Sequence, residues 1–152
     1  MKAVISLGAN LGQPRKQVSL AIDAIRDVMQ IKGVSSLHET KPFGVPDSQP
    51  DYINAVLLGE SDHKPLDLMK ALLRIEQELG RIRSFQNAAR VIDIDIVDFG
   101  GLFMQSDDLT LPHPRAHERS FVLAPWLEIE PDGILAGKGP IKELLAALEV
   151  RK

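Results

Sequence analysis

The order of strand and helix signals along this 152-residue chain predicts an α+β fold. The expected architecture is a ferredoxin-like βαββαβ core, an antiparallel sheet with its helices packed on it, followed by a C-terminal hairpin and helix extension. Three observations lead there. Two segments of the first hundred residues carry apolar residues at helical spacing, and four short segments around them read as strands. Glycine and proline clusters separate these segments. No internal repeat, low-complexity tract or linker interrupts them, so residues 1–152 are expected to form one domain.

Residues 3–7 read as a buried strand, closed by Gly8-Ala9-Asn10-Leu11-Gly12. These glycines read as a tight strand-to-helix turn. They match neither a Walker A motif nor Gly-x-Gly-x-x-Gly, because Gln13 and Pro14 stand where Walker A needs glycine and lysine. Pro14 suits a first helical turn, and Val18, Ala21, Ile22, Ile25, Val28 and Met29 follow the i, i+3, i+4, i+7 rule, predicting a helix over 13–30. A second strand is expected over 31–39, a proline-rich loop over 40–50 and a third strand over Tyr52–Glu60. Pro65 opens a second helix to about residue 79, and an irregular segment at 80–89 is long enough to be a functional loop. The fourth strand follows. The last third holds an expected hairpin at 102–111, a Pro-His-Pro turn, a short helix at 115–126 and a final helix at Ile141–Val150.

The fourth strand, Arg-Val-Ile-Asp-Ile-Asp-Ile-Val-Asp-Phe over 90–99, is the most informative run. Its period of two sends Ile92, Ile94 and Ile96 to one face and Asp93 and Asp95 to the other. Carboxylates at i and i+2 lie roughly 6.5–7 Å apart at their Cα atoms and repel. A hard divalent cation between them is the simplest compensation, although a solvated strand face carries the same pattern. Arg90 at the strand entrance, with Arg81 and Arg83 upstream, adds guanidiniums for phosphate and so points to a metal–nucleotide site.

Other residues break their local pattern. Glu76 falls in the apolar stripe of the second helix beside Met69, Leu72 and Leu79, where it either reaches water at the stripe's edge or approaches the site by the Asp-bearing strand. Tyr52 and Asn54, two apart on one strand face, read first as an ordinary strand Tyr with a polar neighbour, and also suit a flat heterocycle through stacking and edge hydrogen bonds. His113 lies between two prolines, and His113 with Arg119 could contact an anion or simply occupy a surface turn.

The net charge of −3 excludes an overall basic balance, so no nucleic-acid partner is expected. Without cysteine there is no disulfide, thiolate zinc site or Cys nucleophile. The N-terminal apolar run is too short for a signal peptide, and no stretch has transmembrane length. A soluble cytoplasmic monomer without membrane association is expected.

Taken together, Ser6-Leu-Gly-Ala-Asn-Leu-Gly, Thr40-x-Pro-x-Gly, Gln49-Pro-Asp-Tyr-Ile-Asn-Ala, Glu76-x-x-x-Gly-Arg-x-Arg, Arg90-x-x-Asp-x-Asp-Ile, Leu111-Pro-His-Pro and Arg119-x-Phe-Val-Leu-x-Pro resemble the 6-hydroxymethyl-7,8-dihydropterin pyrophosphokinase family of folate biosynthesis. The resemblance covers nearly the whole chain. It implies transfer of the β,γ-diphosphate of ATP to the pterin hydroxymethyl oxygen, leaving AMP. It further implies two Mg²⁺ ions on Asp93 and Asp95, and a pterin between Tyr52 and Phe121 whose edge is read by Asn54 and by Thr40, Pro42 and Phe43. Arg81 and Arg90 would contact the transferred diphosphate, with Asp95 the third catalytic residue. Glu76, Arg83, Arg90, Thr110, His113 and Arg119 would serve the nucleotide.

The chain departs from the family pattern in two places. Gln86-Asn87-Ala88-Ala89-Arg90 stands where many members have Arg-Trp-Gly-Pro-Arg, and Asp108 replaces a basic residue. A looser lid and one weakened nucleotide contact are expected. Two rival readings explain part of the pattern. A non-catalytic ferredoxin-like ligand-binding or regulatory module accounts for the fold without the Asp pair. A metal-dependent phosphohydrolase accounts for metal and arginines without the heterocycle pocket.

Overall fold

The computed structural model describes residues 1–40, 51–81 and 92–150. Strand β1 (Lys2–Ala9) is central to an antiparallel sheet. Its neighbours are β4 (Tyr52–Glu60) and β5 (Asp93–Phe99). Strand β2 (Gln30–Val34) completes the order β2-β4-β1-β5, and β3 (His38–Thr40) pairs with β4 farther along. Ala3, Val4 and Ile5 are all buried, as a strand covered on both faces requires.

Helices α1 (Pro14–Ile25) and α2 (Pro65–Arg81) cover one face. Val18, Ile22 and Ile25 of α1 and Leu68, Leu72 and Ile75 of α2 share a core with Ile5, Leu7, Leu57, Ile94 and Ile96. The second face packs Val4, Val56 and Val97 against Val122, Leu123 and Trp126 of α3 (Ser120–Ile129) and Ile141 of α4 (Ile141–Val150). The C-terminal third is therefore a second covering layer, where the sequence led us to expect a mere extension. The cause is the β-branched residues on that face, which need a cover of their own. Among the described residues no helix is long and apolar enough to cross a membrane.

Several boundaries differ from expectation. α1 ends at Ile25, and the chain turns through three-residue closures such as Asp27 N to Ala24 O (3.1 Å) and Val28 N to Ile25 O (3.0 Å). This turn keeps Met29 buried without extending the helix. The expected strand at 31–39 divides into β2 and β3 around Ser35, whose amide donates to Val56 O at 2.9 Å while its hydroxyl accepts from the Val56 amide at 2.9 Å and donates to Ser36 O at 2.8 Å. The expected hairpin forms as β6 (Met104–Gln105) and β7 (Thr110–Leu111), and the helix near 115–126 is a 3₁₀ turn at Ala116–Glu118 followed by α3. A second hairpin, β8 (Ile134–Leu135) with β9 (Gly139–Pro140), was not anticipated.

A bulge between Val4 and Ile5 in the β1–β5 register leaves Val97 extra on β5. It also places Asp98 opposite Val4, on the second face. The buried Asp98 carboxylate accepts from Gly101 N (2.9 Å) and Ala136 N (3.2 Å), tying the end of β5 to the second hairpin.

Candidate active site

Strand register assembles the first part of the site. His38 pairs with Asn54, Asn54 with Gly8, and Gly8 with Asp93, so four positions form one row across β3, β4, β1 and β5. The adjacent row runs Val56, Ser6, Asp95. Val56 belongs to the core under α3, which assigns Asp95 to that second face; alternation adds Asp93, Asn54 and Tyr52. Asn54 and Asp93 are thus two strand spacings apart, roughly 9–10 Å, with a glycine between them.

Gly8 is inside β1 and not in the turn that its sequence neighbours indicated. Gly12, with φ of 67°, makes that turn. A Cβ on Gly8 would lie 2.9 Å from Asn54 Oδ1, so only glycine leaves the floor clear. Asn54 is buried and its Nδ2 donates to Thr40 Oγ1 at 2.8 Å. Tyr52 (36% exposed) and Phe121 in the first turn of α3 (38% exposed) leave ring surface open to a ligand. The Arg119 guanidinium lies 5.6 Å from the Phe121 ring centroid.

A cleft of about 350 Å³ adjoins the outer edge of β5. Met69, Leu73 and Glu76 of α2 wall one side; residues 106–110, His113 and Pro114 wall the other; Asp95 lies in the lining. Its size suits a small ligand. Glu76 Oε2 accepts from Ile94 N at 2.7 Å, and His113 N donates to Val97 O at 2.8 Å, so both groups bind the free edge of β5. Burial pushes the His113 imidazole below its usual pKa; Asp95 pulls it up, while Arg119 and Arg115 push it further down. The Arg115 amide donates to His113 Nδ1 at 3.1 Å, which leaves the proton of the neutral ring on Nε2.

The structure therefore brings Thr40, Tyr52, Asn54 and Phe121 to the second face, Glu76, Thr110 and His113 to the edge cleft, and Asp93 and Asp95 between them. Pro42, Phe43, Arg83 and Arg90 lie outside the described residues, as do the side chain of Arg81 and the departures at Gln86 and Asn87. Asp108 lines the cleft beside Asp107, Ser106 and Leu109. Sequence reasoning missed Gly8 as floor, and Met69 and Leu73 as cleft wall. Only cross-strand register exposes the first, and Leu73's 39% exposure on a helix marks the second.

Among the described residues no group of three or more His, Asp or Glu could cage a metal. Asp93 and Asp95 supply two carboxylates on one face. That donor set fits magnesium, which keeps several waters and takes one or two carboxylates plus substrate phosphates.

Fold and site together define a class, α+β proteins whose candidate site spans one face and one edge of an antiparallel sheet. Within it, the chain belongs to the 7,8-dihydro-6-hydroxymethylpterin-pyrophosphokinase (HPPK) family, whose model matches residues 4–131. It is 41% identical to a 2-amino-4-hydroxy-6-hydroxymethyldihydropteridine pyrophosphokinase of Haemophilus influenzae, over 94% of this chain and 90% of that protein. A protein of the same name from Pseudomonas aeruginosa is 36% identical over 96% of this chain and 91% of its own length. The fold is similar to that in a crystal structure of an HPPK-DHPS in complex with substrates, with a TM-score of 0.75 and 13% identity, over 96% of this chain and 43% of that one.

Proposed function

We propose that this protein transfers the β,γ-diphosphate of ATP to the hydroxymethyl group of 6-hydroxymethyl-7,8-dihydropterin in folate biosynthesis, giving the pterin diphosphate and AMP. The observation that carries the reading is the Asn54–Gly8–Asp93 row, which sets an amide for a heterocycle and a carboxylate for metal-bound phosphate on one floor with a clear gap between them. Membership of the family supports the substrates.

In this reading the pterin lies between Tyr52 and Phe121, with its polar edge on Asn54 and on Thr40, Pro42 and Phe43. The nucleotide occupies the edge cleft by Glu76, Thr110 and His113, with Arg83, Arg90 and Arg119 on its phosphates. The neutral His113, with Nε2–H free to donate, suits a phosphate oxygen without adding charge. The pterin hydroxyl oxygen bonds to the β-phosphorus as the bond from that phosphorus to the oxygen leaving with AMP breaks; the hydroxyl proton passes to Asp95 or solvent. Asp93 and Asp95 would hold two Mg²⁺, which supply the charge neutralisation a polyanionic triphosphate needs to accept a nucleophile. Arg81 and Arg90 hold the moving diphosphate in line.

The sheet order supports a ferredoxin-like core: with β2 and β3 counted as one broken strand, it reads 2-3-1-4 in chain order. We take residues 1–152 as one domain acting as a cytoplasmic monomer. Incubation with ATP, Mg²⁺ and the pterin tests the function. AMP formed only when pterin is present supports it; ADP or phosphate without pterin favours the phosphohydrolase, and binding without turnover favours the regulatory module.

A further inference from the structure

We propose that Glu128, on α3, is a positioning residue for the pterin compartment: it clamps the segment leading into β3 and so holds Thr40 in place against Asn54. The inference rests on the reading of Thr40 and Asn54 as pterin contacts. Glu128 touches neither substrate in that reading and acts through β3.

The geometry is a three-point clamp. Glu128 Oε2 accepts from Ser36 N at 2.7 Å, and Oε1 accepts from Ser36 Oγ at 2.8 Å and from His38 Nε2 at 2.7 Å. A carboxylate only accepts, so the His38 proton is on Nε2. These bonds, His38 first and then the Ser36 amide and hydroxyl, hold the Glu128 carboxyl at about 2, against an ordinary 4.5, so it stays ionised under working conditions.

What the clamp grips is a weak place. β3 has three residues, and the Ser35 detour separates it from β2. The two strand positions that matter follow at once: His38 is in register with Asn54, and Thr40 with Tyr52. Thr40 Oγ1 then receives Asn54 Nδ2 at 2.8 Å. The same chain continues directly into Pro42 and Phe43. The clamp at Ser36 and His38 and the contact at Thr40 are therefore within five consecutive residues ending in β3. With side chains 38% and 30% exposed, the Glu128–His38 hydrogen bond carries little weight for global stability. One bond to a backbone amide and two to side chains, all to one carboxylate, fix the geometry of this segment.

The test compares Glu128→Ala, Glu128→Gln and His38→Ala with the wild-type chain, measuring kcat and separate KM values for pterin and ATP. Glu128→Ala is expected to raise the pterin KM about tenfold while the ATP KM stays within about twofold. Glu128→Gln, which keeps an oxygen for Ser36, is expected to recover part of the loss. The double variant with His38→Ala should lose less than the product of the two single losses. A pterin KM within about twofold of wild type, or equal rises in both KM values, overturns the proposal. Should Glu128→Ala not fold, His38→Ala and Ser36→Ala decide, and an unchanged pterin KM in both overturns it. Wild-type protein that forms no pterin-dependent AMP refutes the proposed function itself; active wild type with an indifferent Glu128→Ala refutes only the clamp.

Discussion

The backbone amide of Ile94 donates a 2.7 Å hydrogen bond to Oε2 of Glu76. This pairing explains why an acid interrupts the apolar stripe of α2. Among the described residues β5 ends the sheet, so its outward amides meet no partner strand there. Glu76 takes one of them, and the His113 amide takes the Val97 carbonyl at 2.8 Å. The edge is closed by side chain and turn, and the strand bearing Asp93 and Asp95 is held from its open side.

Replacing Glu76 by Ala should leave that amide without its acceptor, at a cost of about 1–3 kcal/mol in folding stability. Glu76→Gln keeps an oxygen there and should cost less. Urea unfolding of the two variants checks this; equal midpoints for Glu76→Ala and wild type would contradict the edge role.

Gly8→Ala should impair pterin binding more than stability. Its Cβ would come within 2.9 Å of Asn54 Oδ1, and Asn54 cannot turn away without losing the 2.8 Å bond to Thr40. We expect a pterin KM raised about tenfold or more, with the ATP KM little changed. Titration of pterin fluorescence, with a thermal melt alongside, measures both effects.

Asp95→Ala should abolish turnover, with kcat down ~100-fold or more even at saturating Mg²⁺. Asp93→Ala should be partly restored by raised Mg²⁺, since Asp93 is exposed at the strand start while Asp95 is half-buried in the cleft lining. Steady-state rates across a Mg²⁺ series distinguish them. Near-normal turnover of Asp95→Ala would remove that residue from the mechanism.

Acid should weaken the Glu128 clamp before it unfolds the protein. The folded carboxyl is held at about 2 against an ordinary 4.5, so its contribution is complete above 4.5 and disappears as pH falls towards 2. Stability of wild type relative to Glu128→Gln, followed by urea unfolding from about pH 6 to below about 3, should converge over that interval. The effect should be small and shrink with salt, because the pair is exposed. A difference unchanged across the interval would show that ionised Glu128 contributes nothing.

Much of the fold was legible because periodicity is local. Strand β4 and helix α4 have the bounds their sequences predicted, and the alternation Ile92–Ile96 divided core from site before any partner strand was known. The Ser35 detour and the β8–β9 hairpin were not legible. The first depends on a hydroxyl meeting the amide of Val56 on another strand, and the second is only two residues a side.

The sequence by itself determined which side of its own element each residue takes: Tyr52 and Asn54 together, Asp93 and Asp95 together, Glu76 among leucines. Tertiary structure decided what those sides face. Register put Gly8 between Asn54 and Asp93 and turned an apparent turn glycine into a floor. Packing laid α3 over the second face, brought His113 and Thr110 to the edge of β5, and delivered Glu128 to Ser36 and His38, some ninety residues away. The physical reason is range. A side chain's direction follows from a few neighbouring dihedral angles, whereas its partners follow from strand pairing and core packing between segments far apart in the chain.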